Sequence, residues 1–259
     1  MAVKIVDLTN PWGADTPMWP FAAPKPDLHF ERVMYHEKGD PAVGGGTRAI
    51  IYHGTLHAST HMDAPSHRVE LWEGGVHIDK VPLENCYGTG VVVDMRHLGK
   101  WDQITGEELE KAKPKIESGD FVVINTGWHK YWRQNNYVYF NHYPGLVADG
   151  AEWLIKKKVK AVAGTWGALD HPLAHIPLAE KMPWLYKEYV RETGKDPDKE
   201  FPIYEPCHYL LLKNGIVGYE NAGGDVDEVT GKRVTLAGFG PRCELADGCF
   251  VRLVAIVEE

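Results

Sequence analysis

Short runs rich in Val, Ile and aromatic residues recur along the chain at Val3–Leu8, His29–Tyr35, Arg48–His53, Gly90–Met95, Phe121–Asn125, Lys160–Gly164, Val234–Phe239 and Phe250–Val257. Each is bounded by turn formers, which predicts the strands of a sheet. Between them the spacing changes to a helical one. Gly106–Lys113 follows Thr105, which with Glu108 has the S/T-x-x-E spacing of a capping box, and Pro114 stops it. Asp149–Lys158 puts Ala151, Leu154 and Ile155 on one face and three lysines near its C-terminal end, where the helix dipole favours positive charge. Lys181–Glu192 carries Trp184, Leu185 and Tyr189 at helical spacing. Tyr137–Leu146 and Lys195–Pro206 read as long surface loops, of the kind that shape a pocket on a rigid scaffold. Interleaved strands and helices indicate an α/β protein with a mixed β-sheet core and flanking helices. No repeat and no Gly/Ser or Pro linker divides it, so residues 1–259 are expected to form one domain.

Composition narrows the function classes. A chain of 259 residues buries enough surface to hold a core without disulfides or a structural metal, so a bound metal points to chemistry. The net charge of −8, with no basic run longer than Lys156–Lys158, speaks against nucleic acid and against a polybasic membrane anchor. The N-terminus lacks the pattern of a signal peptide, and no apolar run approaches the roughly 20 residues of a membrane span. The four cysteines, Cys86, Cys207, Cys243 and Cys249, are scattered without a C-x-x-C pair. A reducing cytoplasm is the expected location.

Histidine changes the picture, because four of the 13 fall between His53 and His67. Within the eleven residues His57-Ala58-Ser59-Thr60-His61-Met62-Asp63-Ala64-Pro65-Ser66-His67 stand three imidazoles and a carboxylate, donors that suit Zn²⁺, Mn²⁺ or Fe²⁺. On a regular helix His57 and His61 are neighbours, but Asp63 falls about 240° round from His57. On a regular strand the three share a face, yet the end pair stands about 20 Å apart, whereas each ligand must lie about 2.0–2.2 Å from one ion. The segment must therefore bend, and a strand ending in a ligand-bearing loop is expected. His53 and His77 lie outside this spacing and are read as structural.

This stretch resembles the signature H-x-G-T-H-x-D-x-P-x-H of the cyclase-like family of metal-dependent hydrolases, which includes bacterial kynurenine formamidase and isatin hydrolase. It matches at every fixed position except that Ser59 replaces the glycine. The likeness extends over nearly the whole chain: Asp7-Leu8-Thr9 and Thr16-Pro17-Met18-Trp19-Pro20 look like the family's N-terminal element, and Asn125-Thr126-Gly127-Trp128 with Tyr143-Pro144-Gly145-Leu146 look like its middle. The resemblance implies a swivelling β/β/α-like fold. It also implies a second ligand pair twelve residues apart, His208 and Glu220, with Asp63 able to bridge two divalent ions, Zn²⁺ or Mn²⁺. His67 matches the family's catalytic histidine, the acid/base candidate. In Gly164-Thr165-Trp166-Gly167-Ala168-Leu169-Asp170-His171-Pro172 the family often has Asp where Trp166 stands, while Asp170 is kept. Trp166 is thus a candidate substrate contact, with plain core packing as the alternative. So is Trp19, because the family's N-terminal segment helps build the neighbouring subunit's pocket, which implies a homodimer or homotetramer.

The expected activity is hydrolysis of a C–N bond in a small aryl formamide or an isatin-like cyclic amide by metal-activated water. A metal-assisted lyase or lactone hydrolase is the alternative. A non-catalytic protein built round a structural metal fits less well, since such sites are usually closed, four-ligand and Cys-rich.

Overall fold

In the computed structural model the chain is described over residues 2–20, 28–34 and 49–258. The strands are β1 (Val3–Asp7), β2 (Leu28–Met34), β3 (Ala49–Gly54), β4 (His61–Asp63), β5 (Tyr87–Asp94), β6 (Gln103–Ile104), β7 (Phe121–Asn125), β8 (Gly145–Leu146), β9 (Ala161–Gly164), β10 (Val217–Glu220), β11 (Lys232–Ala237), β12 (Gly248–Phe250) and β13 (Val254–Glu258). The helices are α1 (Gly106–Lys111), α2 (Asn136–Asn141), α3 (Ala148–Lys157), α4 (Leu178–Lys181), α5 (Pro183–Thr193), α6 (Pro197–Glu200) and α7 (Pro206–Lys213). Nine strands form one mixed sheet in the order β1-β13-β11-β5-β7-β9-β10-β4-β12. Its centre, β5-β7-β9-β10, is parallel, and the outer strands are antiparallel.

The central strands read as unbroken apolar runs because both faces of the sheet are buried. Val91, Val93, Val122, Ile124 and Val162 join a core under α1, α3 and α7. The alternate residues Val92, Phe121, Val123, Ala161 and Ala163 join a second core with Val6, Met62, Leu236, Cys249 and Ala255. Those last five come from the outer strands, so the curled sheet supplies its own second layer.

The three expected helices form, with ends shifted by one to two residues. Thr105 Oγ1 accepts from the Glu108 N–H at 3.3 Å, but the Glu108 carboxylate goes to His97 rather than back to Thr105. Pro183 opens α5 at its first turn, where its missing N–H costs nothing. The expected run Phe250–Val257 is two strands, β12 and β13. Tyr35 and Arg48, at the ends of two expected strands, lie outside the described residues. Tyr137–Leu146 is not a surface loop: it holds α2 and β8, and Tyr139, Phe140 and Tyr143 are buried in the first core. Of its four aromatic residues only Tyr137 is exposed. Lys195–Pro206 contains α6 and then turns inward at Tyr204 and Glu205. Among the described residues no helix is long and apolar enough to cross a membrane.

His171 is fully buried and stacks on Phe201, with centroids 4.3 Å apart. Its Nε2–H donates to the Trp101 carbonyl at 3.0 Å, and its Nδ1 accepts from the Leu173 N–H at 3.3 Å. Both nitrogens are used by the neutral ring, and burial pushes its pKa down to about 4. The unfolded chain therefore takes up a proton between pH about 6.5 and about 4 that the folded chain refuses. Stability falls as pH drops through that window, by up to about 3 kcal/mol from this group. Urea unfolding midpoints measured from pH 7 to pH 4 should fall less steeply in His171→Gln than in the wild-type chain. Parallel curves would refute this.

Candidate metal centre

The bend that the spacing demanded falls at Ser59, whose φ is 58°. This is the left-handed region, where glycine is the natural residue, which accounts for the glycine in the pattern that Ser59 interrupts. Ser59 fastens the turn by donating from Oγ to the Asn10 carbonyl at 3.0 Å. After the bend the chain enters β4, so the order is a loop carrying His57 and then a strand carrying His61 and Asp63, the reverse of the expected order. In β4 the pleat sends His61 and Asp63 to one side and Met62 to the second core. Strand pairing sets Glu220 directly opposite His61, and Gly248 opposite Asp63 on the other side. A Cβ on Gly248 would stand 2.5 Å from His57 Cε1, so glycine there makes room for the His57 ring.

His208 arrives from the first turn of α7. Asp170 accepts from the N–H groups of Cys207, at 2.6 Å, and His208, at 3.0 Å, which satisfies two of the helix's unpaired donors. It also accepts from His208 Nδ1 at 2.6 Å. A carboxylate can only accept, so Nδ1 carries the proton and Nε2 presents a lone pair to the cluster. His61 is set in the same way, with Nδ1–H donating to the Ser59 carbonyl at 2.8 Å.

Five of the expected ligands converge. His57 Nδ1 is 2.8 Å from Asp63 Oδ1, His61 Nε2 is 3.5 Å from the same oxygen and 3.4 Å from Glu220 Oε2, and His208 Nε2 is 3.0 Å from Glu220 Oε1 and 3.6 Å from Asp63 Oδ2. His61, Asp63, His208 and Glu220 are buried. His57 Nε2, His61 Nε2 and Asp63 Oδ2 are nevertheless buried without a hydrogen-bond partner. Leaving three such atoms unsatisfied is costly in a folded protein, and a cation among them resolves it. Among the described residues three groups meet the spacing of ligand atoms round one ion: His57 with His61 and Asp63, Asp63 with His67 and His208, and His57 with His67 and Asp247. The first two share Asp63. The residues present thus fit a divalent metal held by imidazole and carboxylate, with the outer hydrogen bonds already made.

The charges are balanced locally. Burial alone would raise the Asp63 and Glu220 carboxyls, but the surrounding imidazoles hold both low. Burial would lower His57, and the carboxylates of Asp247 and Asp63 beside its ring overcome this and carry it up to about 10. A ligand imidazole must be deprotonated, so loading of the ion strengthens as pH rises.

A cavity of 390 Å³ opens over the cluster, lined by Trp19, His57, His67, Ala168, His208 and Glu220 among others. Trp19 stands edge-on to His61 at 5.7 Å, within its own chain's cavity. Trp166 does not reach it: the indole is buried in the first core, above Gly164, where a Cβ would collide with the ring. Its volume is spent on packing. His53 and His77 take no part in these ligand groups, and His77 Nδ1 pairs with Ser66 Oγ at 3.1 Å.

One partner was not visible in the sequence. Asp247 Oδ2 lies 3.2 Å from His67 Nδ1 and 3.2 Å from His57 Nε2, the latter without hydrogen-bond alignment. It stands 180 residues from His67 in an Ala-Asp-Gly turn that carries no signal of its own. The role of Asp170 gives a direct test. Asp170→Asn removes the charge that polarises and orients His208, and metal affinity measured by chelator competition should fall roughly 10–100-fold. Unchanged affinity would show that His208 is held without it.

The family model described as putative cyclase matches residues 6–171. Cyclase-like protein 2 of Oryza sativa subsp. japonica is 29% identical over 108 residues, 39% of this chain but only 36% of its own length. An isatin hydrolase bound to the product analogue thioisatinate superposes with a TM-score of 0.77 at 21% identity, covering 99% of this chain and 93% of that one. A potential metal-dependent hydrolase with cyclase activity superposes with a TM-score of 0.67 at 19% identity over the whole of both chains. At such identities the structures establish a shared fold. The family match, which spans more than half of the chain and includes the His57–His67 signature, shows that the chain belongs to the putative cyclase family.

Proposed function

We propose that the protein hydrolyses a C–N bond in a small aryl or cyclic amide at the floor of this cavity. The observation that carries the reading is the convergence of His57, His61, Asp63, His208 and Glu220 under an open space that His67 faces. His57, His61 and Asp63 would hold one divalent ion, and Asp63, His208 and Glu220 a second, either Zn²⁺ or Mn²⁺. Such ions supply Lewis-acid polarisation of a carbonyl and acidify bound water to near neutral pH.

The chain's own residues do the rest. His67 sits beside His57, with ring centroids 4.1 Å apart, and 5.6 Å from the ring of His208. Asp247 holds its Nδ1 at 3.2 Å, which leaves Nε2 to take a proton from the attacking water and hand it to the departing nitrogen. Trp19 and Ala168 give an apolar wall against which a flat ring can lie. Burial of Glu220 and Asp63 keeps competing water from their carboxylates.

The test is metal content per chain by inductively coupled plasma mass spectrometry, followed by turnover of amides, lactones and hydroxy acids by the loaded protein. About two equivalents in the wild type, about one in His208→Ala, and turnover of an amide support the reading. Turnover confined to lactones or hydroxy acids would replace it with the ester or lyase alternative. No metal after reconstitution with Mn²⁺ and Zn²⁺ would sink it.

A further inference from the structure

Beyond the metal cluster the same cavity is lined by Arg68, His175, Tyr204 and Glu205, none of which the hydrolysis uses. Arg68 directly follows the turn Pro65–His67, so the segment that presents the His67 ring also launches the guanidinium. Three contacts hold it in place. Nη2 donates to the Tyr204 carbonyl at 3.0 Å, Nε lies 3.2 Å from Glu205 Oε2, and the guanidinium sits over the Tyr204 ring at 4.9 Å. Nε is buried with no hydrogen bond aligned to it. A guanidinium carries five N–H donors in a planar fork, and these contacts engage only part of it.

A second cation lies nearby. Lys181 Nζ stands 3.5 Å from the centre of the Tyr204 ring, over which the Arg68 guanidinium also sits. Glu205 itself has φ 46° and ψ 55°, a left-handed conformation that a glutamate holds only where its surroundings enforce it. It begins α7 three residues before His208, so the fork of Arg68 and the cluster's His208 are positioned by one helix start.

Building on the hydrolase reading, we propose that Arg68 anchors a carboxylate carried by the substrate. The preferred substrates are then small aryl or cyclic amides bearing one carboxylate away from the bond that is cut. A preorganised fork with unused donors matches a planar carboxylate, and the aromatic wall at Trp19 matches the ring that carries it.

Two measurements on the metal-loaded protein decide this. In the first, benzoate and its neutral counterpart benzamide are titrated calorimetrically into the wild type, Arg68→Met and Arg68→Lys. Benzoate should bind Arg68→Met at least about tenfold more weakly than wild type, with Arg68→Lys between them and benzamide unaffected by the charge. Equal benzoate affinity in wild type and Arg68→Met overturns the proposal. In the second, formanilide is compared with its ring-carboxylated analogue. The wild-type ratio of kcat/KM should favour the carboxylated amide at least about tenfold through KM, and in Arg68→Met it should fall towards one. A ratio that persists in Arg68→Met also overturns the proposal. If the loaded wild type cleaves neither of these amides nor a cyclic amide such as isatin, the hydrolase reading has failed, while the benzoate titration still decides the anchor. Arg68→Lys retains the charge opposite Glu205, so a folding defect confined to Arg68→Met is recognised by metal content and thermal midpoint.

Discussion

Asp63→Asn should leave the protein folded but strip it of metal and of activity. Asp63 stands at the meeting point of His57, at 2.8 Å, His61, at 3.5 Å, and His208, at 3.6 Å, and two of the three candidate ligand groups include it. Asparagine keeps the shape but removes the one negative charge common to all three rings, and its amide offers a weak oxygen and a nitrogen that is no ligand. Metal polarisation of a carbonyl is worth several kcal/mol, and each 1.36 kcal/mol is a factor of ten in rate, so turnover should fall roughly 10³-fold or more. Metal content should drop well below that of His208→Ala, which removes a ligand from one group only. The measurement is metal per chain beside single-turnover rates, with circular dichroism to show that the sheet survives. A variant that keeps both metal and turnover would mean that Asp63 is only an ion-pair partner for the histidines.

His67→Gln should have the opposite signature: metal retained, turnover lost. The ring of His67 is partly exposed to the cavity and is tied on one nitrogen by Asp247. That is the arrangement of a proton carrier rather than of a buried ligand. Loss of general acid–base catalysis costs typically 10²–10⁴-fold, expected here in kcat with little change in KM. The geometry also allows His67 to join Asp63 and His208 round an ion. Metal analysis separates the two roles: if His67→Gln loses an equivalent of metal along with activity, His67 is a ligand and the proton carrier lies elsewhere. Undiminished turnover would remove His67 from the chemistry altogether.

Much of the site was legible because its signal is local. Three imidazoles and a carboxylate within eleven residues have to meet something, and simple distances showed that neither a helix nor a strand could bring them together without a bend. The spacing could not say where the bend falls. Ser59 takes it at φ 58°, stabilised by the Asn10 carbonyl from a segment 49 residues away. His208 and Glu220 were reachable only through the family pattern, because neither the start of α7 nor the Gly-broken strand β10 has a local signature strong enough to mark a ligand. Asp247 and Arg68 escaped for a related reason. A lone acid in a turn and a lone arginine after a histidine mean nothing until folding sets them against His67 and Glu205.

The sequence by itself determined the α/β alternation, the apolar central strands, the three principal helices and the chemical type of the site. Those properties depend on side-chain period and on donors close together in the chain, which any fold must respect. The tertiary structure alone decided that Trp166 fills the core above Gly164 and not the cavity, and that the aromatic stretch around Tyr139 is buried. It also decided that the parallel pairing of β9 and β10, with β4 antiparallel beside them, sets Glu220 opposite His61. These facts depend on strand register and on contacts across more than a hundred residues, where a one-residue slip turns every side chain to the other face.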